Sequence, residues 1–200
     1  KEYFLNYEAM NNDFTIQLGN QHQIQFHNKH FESGWNITLA NTGNSTMTGA
    51  RIKQIKNYID SENFMVTYGD GVADININKL LEFHCRHKKI ATLTGVHSLS
   101  RFGELSIEGS DIREFKEKPQ SSPRYINGGF FVFRKQVFDY ISNDDNCILE
   151  KETLEQLAHQ KELKVFPHKR FWQCVDTYRD YRYFQELWQK GHTPWVVWKQ

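Results

Sequence analysis

Phe64-Met65-Val66-Thr67-Tyr68-Gly69-Asp70-Gly71 is the stretch on which the fold turns. Its first five residues favour a strand, and the run stops abruptly at an acid held between two glycines. A short run of this kind reads as a buried strand rather than an edge strand. Just beyond it, Ile77, Leu80, Leu81, His84 and Cys85 recur at helical spacing, and 90–96 reads as a second strand. Strand, helix and strand in that order predict a βαβ unit with parallel strands and a right-handed crossover.

Working outward, residues 2–10 place Tyr3, Phe4 and Tyr7 on one helical face. Phe14, Ile16 and Leu18, then Ile24 and Phe26, alternate with polar neighbours around Gly19-Asn20, which predicts a hairpin. A short strand is expected at 36–40, and a helix from Thr48 with Ile52, Ile55, Tyr58 and Ile59 facing inward. On the other side, strands are expected at 103–108, 111–116, 129–134 and 163–167, and helices at 135–142, 150–160 and 178–189. No repeat, low-complexity tract or linker interrupts this order, so the expectation is one α/β domain over 1–200.

Composition narrows the function. Lys and Arg number 25 against 24 Asp and Glu, a formal charge of +1, so the basic excess of a nucleic-acid binder is missing. The mean hydropathy of −0.70 and the lack of a long apolar run argue against a membrane-spanning helix. With 15 Phe, 9 Tyr and 5 Trp the chain has ample apolar surface for a core. Cys85, Cys147 and Cys174 are odd in number and widely spaced, which fits reduced thiols in a cytoplasmic protein. Asn36-Ile37-Thr38 and Asn44-Ser45-Thr46 match the glycosylation pattern, which arises often by chance. The chain starts at Lys1 inside an expected helix, as a fragment would.

In open α/β sheets, ligands gather beyond the carboxyl ends of the strands, so Asp70 points at the site. A carboxylate there suits Mg²⁺, which commonly takes one or two protein carboxylates plus substrate phosphates; the plainer alternative is a turn in which Asp70 bonds its own backbone. Phe171-Trp172-Gln173-Cys174-Val175-Asp176-Thr177 repeats the pattern of a strand ending in an acid. Asp176 is either a second metal ligand or the N-cap of the helix that follows. Thr48-Gly49-Ala50-Arg51 opens a helix whose N–H groups and Arg51 fork suit phosphates or a base; the alternative is an ordinary cap. Glu117-Lys118 before Pro119 suits sugar hydroxyls and a phosphate, or is a solvated charge run. Asn127-Gly128-Gly129 opens an apolar strand where glycines permit close backbone contact. His84 and His87 share a helical face but supply only two metal ligands. No nucleophile elbow is present. Trp188, Trp195 and Trp198 in the tail suit either a core edge or a subunit contact.

Taken in order, these segments resemble the glucose-1-phosphate cytidylyltransferases, a family of sugar-nucleotide pyrophosphorylases. The matching pieces are Thr46-Met47-Thr48-Gly49, Arg51, Tyr68-Gly69-Asp70-Gly71-Val72-Ala73-Asp74, Arg101-Phe102-Gly103, Glu117-Lys118-Pro119, Ile126-Asn127-Gly128-Gly129-Phe130-Phe131, and Phe171-Trp172-Gln173 leading to Asp176-Thr177. Lys1-Glu2-Tyr3-Phe4 and Pro194-Trp195 are similar too, so the resemblance spans the chain.

The resemblance implies a Rossmann-like nucleotidyltransferase fold, a mixed and mostly parallel sheet flanked by helices, lacking its first βα unit. It implies cytidylyl transfer from CTP to α-D-glucose 1-phosphate, giving CDP-glucose and pyrophosphate, in deoxysugar synthesis for lipopolysaccharide O-antigen. By the same resemblance Asp70 and Asp176 hold Mg²⁺, and Thr46, Arg51 and Gly69 contact the nucleotide. Glu117 and Lys118 with Asn127 and Gly128 contact the sugar phosphate, Lys118 serving catalysis as well, and the enzyme is a homo-oligomer. Rival expectations are another nucleotide, UTP or dTTP, a non-catalytic sugar-nucleotide binding module, and an assembly scaffold. Three departures stand out. The family's Gly-Gly-x-Gly-Thr-Arg loop and nearby Pro-Lys-Pro are missing, Ala50 replaces a usual Gly, and Cys174-Val175 differs before Asp176. Without that loop, these 200 residues alone are expected to be inactive or very weak.

Overall fold

Phe14 faces Phe26, and Ile16 faces Ile24, across an antiparallel hairpin of β1 (Phe14–Gln17) and β2 (Gln23–Phe26). The computed structural model describes residues 1–19, 23–27, 32–97, 104–116 and 125–198, with the backbone alone for 104–107 and 116. Before the hairpin, the expected helix is broken at Asn6 into α1 (Glu2–Leu5) and α2 (Tyr7–Asn11). The strand expected at 36–40 is irregular instead. These elements belong to a compact unit, Lys1–Gly43, in which no described residue is fully buried. The second unit, Asn44–Gln200, contains the core and the site residues.

Its first helix, α3 (Thr48–Gln54), ends in a 3-10 turn at Lys56–Tyr58. Ile52 is buried as expected and Ile59 packs against the core, but Tyr58 is 60% exposed because the tightening to a 3-10 turn rotates it off the inner face. Then come β3 (Asn63–Thr67), β4 (Gly71–Ala73), α4 (Ile77–His87) and β5 (Ala91–Val96). The hairpin of β6 (Glu104–Glu108) and β7 (Asp111–Lys116) follows, as expected. After it, β8 (Ile126–Arg134) leads to a 3-10 stretch at Lys135–Asp139, shorter than the helix expected there. The helix expected at 150–160 begins as a π-turn, Leu149–Thr153, and continues as α5 (Leu154–His159). β9 (Leu163–His168), β10 (Trp172–Cys174) and α6 (Tyr178–Gln189) complete the order.

The main sheet runs β3-β8-β5-β9. β8 is antiparallel to both β3 and β5, while β5 and β9 are parallel, so three strands run one way and β8 the other. The sheet is therefore mixed, as expected, but the βαβ unit is not adjacent: β8 is inserted between β3 and β5. That placement also corrects the reading of β3 as interior, since β3 is at the edge of the described sheet and Met65 is 42% exposed. The run Phe64-Met65-Val66 alternates faces, and only Phe64 and Val66 join the core.

β8 shows why the sheet is covered on both sides. Phe131 and Phe133 pack on one face with Ile52, Phe64, Phe138, Leu154 and Leu157. Val132 and Phe130 pack on the other with Leu80 and Leu81 of α4. An uninterrupted Phe130-Phe131-Val132-Phe133 run is the signature of a strand buried on both faces.

Candidate active site

The site grows from the carboxyl end of β3. The Tyr68 N–H donates to the Gly129 carbonyl at 3.0 Å, the last bond along β8, and the chain then leaves the sheet through Gly69 and Asp70, both exposed. It enters a small antiparallel ladder in which Gly71 of β4 lies opposite Cys174 of β10. One step further, the Val175 N–H donates to the Asp70 carbonyl at 2.9 Å. Asp70 and Asp176 thus project from neighbouring, hydrogen-bonded backbone, although they are far apart in the chain.

The alternative reading of Asp176 as a helix cap is overturned. The N-cap of α6 is Thr177, whose Oγ1 accepts from the Asp180 N–H at 3.2 Å while Asp180 Oδ2 accepts from the Thr177 N–H at 3.0 Å. This reciprocal pair is a capping box. Asp176 is exposed, and its Oδ2 accepts from the Cys174 thiol at 3.0 Å.

The ladder is anchored at its far end by Asp74, whose side chain is 3% exposed. Its Oδ2 meets Arg170 Nη2 at 2.7 Å, and its Oδ1 is 3.0 Å from His168 Nε2. The Asp74 N–H donates to the Phe171 carbonyl at 3.2 Å, so β4 is fixed to the turn that leads into β10.

At the start of α3 the structure differs from the expectation of open N–H groups. The Gly49 and Ala50 N–H groups both donate to the Cys147 carbonyl, at 3.0 and 3.2 Å. A Cβ on Gly49 would fall 2.8 Å from Cys147 Sγ and 3.0 Å from the Cys147 carbonyl, so this glycine exists for a backbone approach within the protein. Ala50, at the position of a family glycine, faces the core. Thr46 is buried just before the helix, and Arg51 Nη2 donates to the Asn44 carbonyl at 3.2 Å, folding the guanidinium back over its own loop.

The Asn127-Gly128-Gly129 segment is pinned from several directions. Asn127 accepts from the Gly129 N–H at 2.8 Å and donates through Nδ2 to the Tyr68 hydroxyl at 3.0 Å. The Trp172 indole N–H donates to the Gly128 carbonyl at 2.9 Å, which ties β10 to β8. Cβ atoms at Gly128 and Gly129 would fall 2.7 Å from Val96 and 2.6 Å from Tyr68, so here too close packing explains the glycines. The Tyr68 hydroxyl donates to Glu150 Oε1, and burial beside that carboxylate pushes the phenol well above its ordinary range. Tyr68, Glu150 and Trp172 were given no role from sequence. Glu150 showed only as an acid at the start of a helix, a signal that complements the helix dipole anywhere.

Glu117, Lys118 and Arg101-Phe102-Gly103 lie outside the described residues. His84 and His87 converge on the Thr92 hydroxyl, at 2.8 and 2.7 Å, instead of on a metal position. In the tail, Trp195 packs tilted against Phe171 and edge-on against Phe184, while Trp188 and Trp198 are exposed. Among the described residues no cysteine is in a disulfide, and no helix is long and apolar enough to cross a membrane.

The β4–β10 ladder thus brings the backbones around Asp70 and Asp176 together beside the glycine-rich start of β8, on an α/β scaffold. A family model described as nucleotidyl transferase matches residues 7–190, and the chain belongs to this nucleotidyltransferase family. More particularly, it is similar to the glucose-1-phosphate cytidylyltransferase of Salmonella typhi, with 46% identity over 200 residues, 100% of this chain and 77% of that protein. A probable glucose-1-phosphate cytidylyltransferase of Bacillus subtilis is 41% identical over 198 residues, 99% of this chain and 76% of that one. The fold is shared with a putative glucose-1-phosphate thymidylyltransferase from Bacillus anthracis, at a TM-score of 0.62 and 17% identity, over 84% of this chain and 70% of that chain. The resemblance carried by the ordered motifs is borne out, and the chain is of an enzyme family.

Proposed function

We propose that the chain serves cytidylyl transfer from CTP to α-D-glucose 1-phosphate, giving CDP-glucose and pyrophosphate, with Mg²⁺ held by Asp70 and Asp176 and with the family's Gly-Gly-x-Gly-Thr-Arg loop needed beside it for full turnover. The observation that carries the reading is the β4–β10 ladder, which sets these two acids on neighbouring backbone next to the strand end bearing Asn127 and Gly128. The identity to the Salmonella and Bacillus cytidylyltransferases supports the choice of CTP and glucose 1-phosphate.

The donor set fits the ion. Two exposed carboxylates suit a hard cation that keeps waters and takes phosphate oxygens. Among the described residues no three His, Cys, Asp or Glu side chains gather as a ligand set, so a closed cage of the zinc type is not built here. When bound, Mg²⁺ offsets phosphate charge and helps fix an in-line geometry.

The protein's own task is electrostatic and positional. A phosphate oxygen of glucose 1-phosphate attacks the α-phosphorus of CTP, the bond to the bridging oxygen breaks, and pyrophosphate leaves. The nucleophile is already ionised near neutral pH, so no general base is required, in keeping with a sequence that shows no catalytic triad. Lys118 and Arg51 counter the repulsion between two anions. Thr46, Arg51 and Gly69 contact the nucleotide, and Glu117, Lys118, Asn127 and Gly128 the sugar phosphate. Because both ends of the Asn127 amide are engaged within the protein, that segment contacts its ligand chiefly through a rigid backbone. The product serves deoxysugar synthesis for O-antigen, in the cytoplasm, by a homo-oligomer.

A thermal-shift titration with CDP-glucose tests this. At 100 times its dissociation constant, a ligand specific for the folded state adds about 2.7 kcal/mol. The expected result is a Mg²⁺-dependent rise in Tm that Asp70→Asn abolishes, and a larger rise with CTP than with UTP. The same shift with and without Mg²⁺, unchanged in Asp70→Asn, would overturn the assignment.

A further inference from the structure

Glu150 is the feature of the site that the reaction chemistry does not use. It is the second residue of the π-turn ahead of α5, half-buried, and both carboxylate oxygens are occupied by hydroxyls from distant parts of the chain. Oε1 accepts from the Tyr68 hydroxyl, and Oε2 accepts from the Thr48 hydroxyl at 2.9 Å. Each hydroxyl is itself an acceptor. Tyr68 takes the Asn127 Nδ2 hydrogen at 3.0 Å, and Thr48 takes the Leu149 N–H at 3.0 Å.

The chain of bonds therefore runs from Asn127, through Tyr68 and Glu150, to Thr48. Its ends have different neighbours. Thr48 opens the helix that carries Arg51, and Tyr68 immediately precedes Gly69-Asp70, while Asn127 opens the strand with Gly128. We propose that Glu150 is a positioning residue that ties the nucleotide-side helix α3 to the sugar-phosphate-side end of β8, so that one carboxylate sets the spacing of both substrates. The proposal rests on the functional reading above and adds to it a residue that touches neither substrate.

The geometry explains why an acid stands here. Each hydroxyl already accepts one N–H and turns its own proton toward Glu150, and a carboxylate offers an acceptor oxygen to each. A glutamine supplies one acceptor, so one of the two hydroxyls must turn its proton away and accept from the amide instead. Aspartate is one methylene too short to span the two hydroxyls.

Two measurements decide the matter. In the first, Tm is measured for Thr48→Val, Tyr68→Phe and their combination, then again with Glu150→Gln added to each. Because, among the described residues, Glu150 is what joins Thr48 to Tyr68, their Tm losses should be non-additive in its presence and additive in the Glu150→Gln background. Additive losses with Glu150 in place would overturn the bridge. In the second, dissociation constants for CTP with Mg²⁺ and for glucose 1-phosphate are measured separately by calorimetry. Glu150→Gln should weaken both by about tenfold, the worth of a charge-assisted hydrogen bond, Thr48→Val chiefly CTP, and Tyr68→Phe chiefly glucose 1-phosphate. A Glu150→Gln effect on one ligand alone, or on neither, would overturn the shared-spacing role. If the unaltered chain bound neither ligand, the functional reading would fail, and with it the substrate role, while the Tm cycle still decided the bridge.

Discussion

His84 shows how much one buried residue can depend on a hydroxyl. His87 Nδ1 accepts from the Lys89 N–H at 2.9 Å, so the neutral His87 ring carries its proton on Nε2 and donates it to Thr92 Oγ1. The Thr92 hydroxyl then donates to His84 Nδ1, which leaves the His84 proton on Nε2, a buried atom with no partner among the described residues. Burial, with His87 and Arg134 nearby, lowers the His84 pKa from 6.5 to about 4. A base whose folded pKa is depressed binds fewer protons folded than unfolded, so stability is full above the unfolded pKa and is lost as pH falls toward the folded one. Urea midpoints should therefore decline between about pH 6.5 and 4, by an amount worth up to about 3 kcal/mol. An NMR titration of His84 giving a pKa near 6.5 would contradict this. The residue types along α4 were readable as an inner face; that two histidines share one threonine was not, because Thr92 belongs to the next strand.

At the scale of elements, α6 and α3 teach opposite lessons about helix starts. Asp176-Thr177-Tyr178-Arg179-Asp180 offers two acceptable caps one residue apart, and sequence preference does not separate them. The structure chooses Thr177, because Asp180 completes its capping box, so Asp176 is not the cap of α6. Thr177→Ala should therefore cost about 1 kcal/mol in urea denaturation while leaving the Mg²⁺-dependent Tm shift in place. Asp176→Asn should do the reverse, with little change in stability and no Mg²⁺ dependence. Equal effects of the two substitutions on the shift would refute this division of labour. At α3 the small residues Gly49 and Ala50 look like a phosphate cradle, yet the Cys147 segment takes their N–H groups and fills the space. Small residues report that something approaches closely; they do not say whether it is ligand or protein.

Across the whole molecule, the site depends on a short ladder that carries little apolar surface of its own. β4 and β10 have three residues each, all half-buried, and neither joins the main sheet. What holds them is Asp74 at one end, with Arg170 and His168, and Trp172 reaching the Gly128 carbonyl. Asp74→Ala would remove the acceptor of the Arg170 guanidinium, a loss of about 2 kcal/mol, the worth of one charge-assisted hydrogen bond. Because the same ladder fixes the backbone of Asp70 next to that of Val175, that substitution should also weaken the proposed Mg²⁺-dependent shift at temperatures where the protein remains folded. Loss of stability with full Mg²⁺ dependence retained would show that the acids are aligned by something else.

What could be read along the chain was whatever local sterics and side-chain period impose. That covers the strand ending at Tyr68-Gly69-Asp70-Gly71, the inner face of α4, the hairpins of β1–β2 and β6–β7, and α6, since each depends on residues within a few positions of one another. The ordered motifs also carried the family, because many short matches in sequence are specific together. The insertion of β8 between β3 and β5, the meeting of residues 70 and 176, and the Tyr68–Glu150–Thr48 bridge belong to the tertiary structure alone. Ladder hydrogen bonds are made by backbone groups common to every residue, so the sequence of a strand does not name its neighbour. A carboxylate likewise carries no mark of which hydroxyl, 82 or 102 residues away, packing will bring to it.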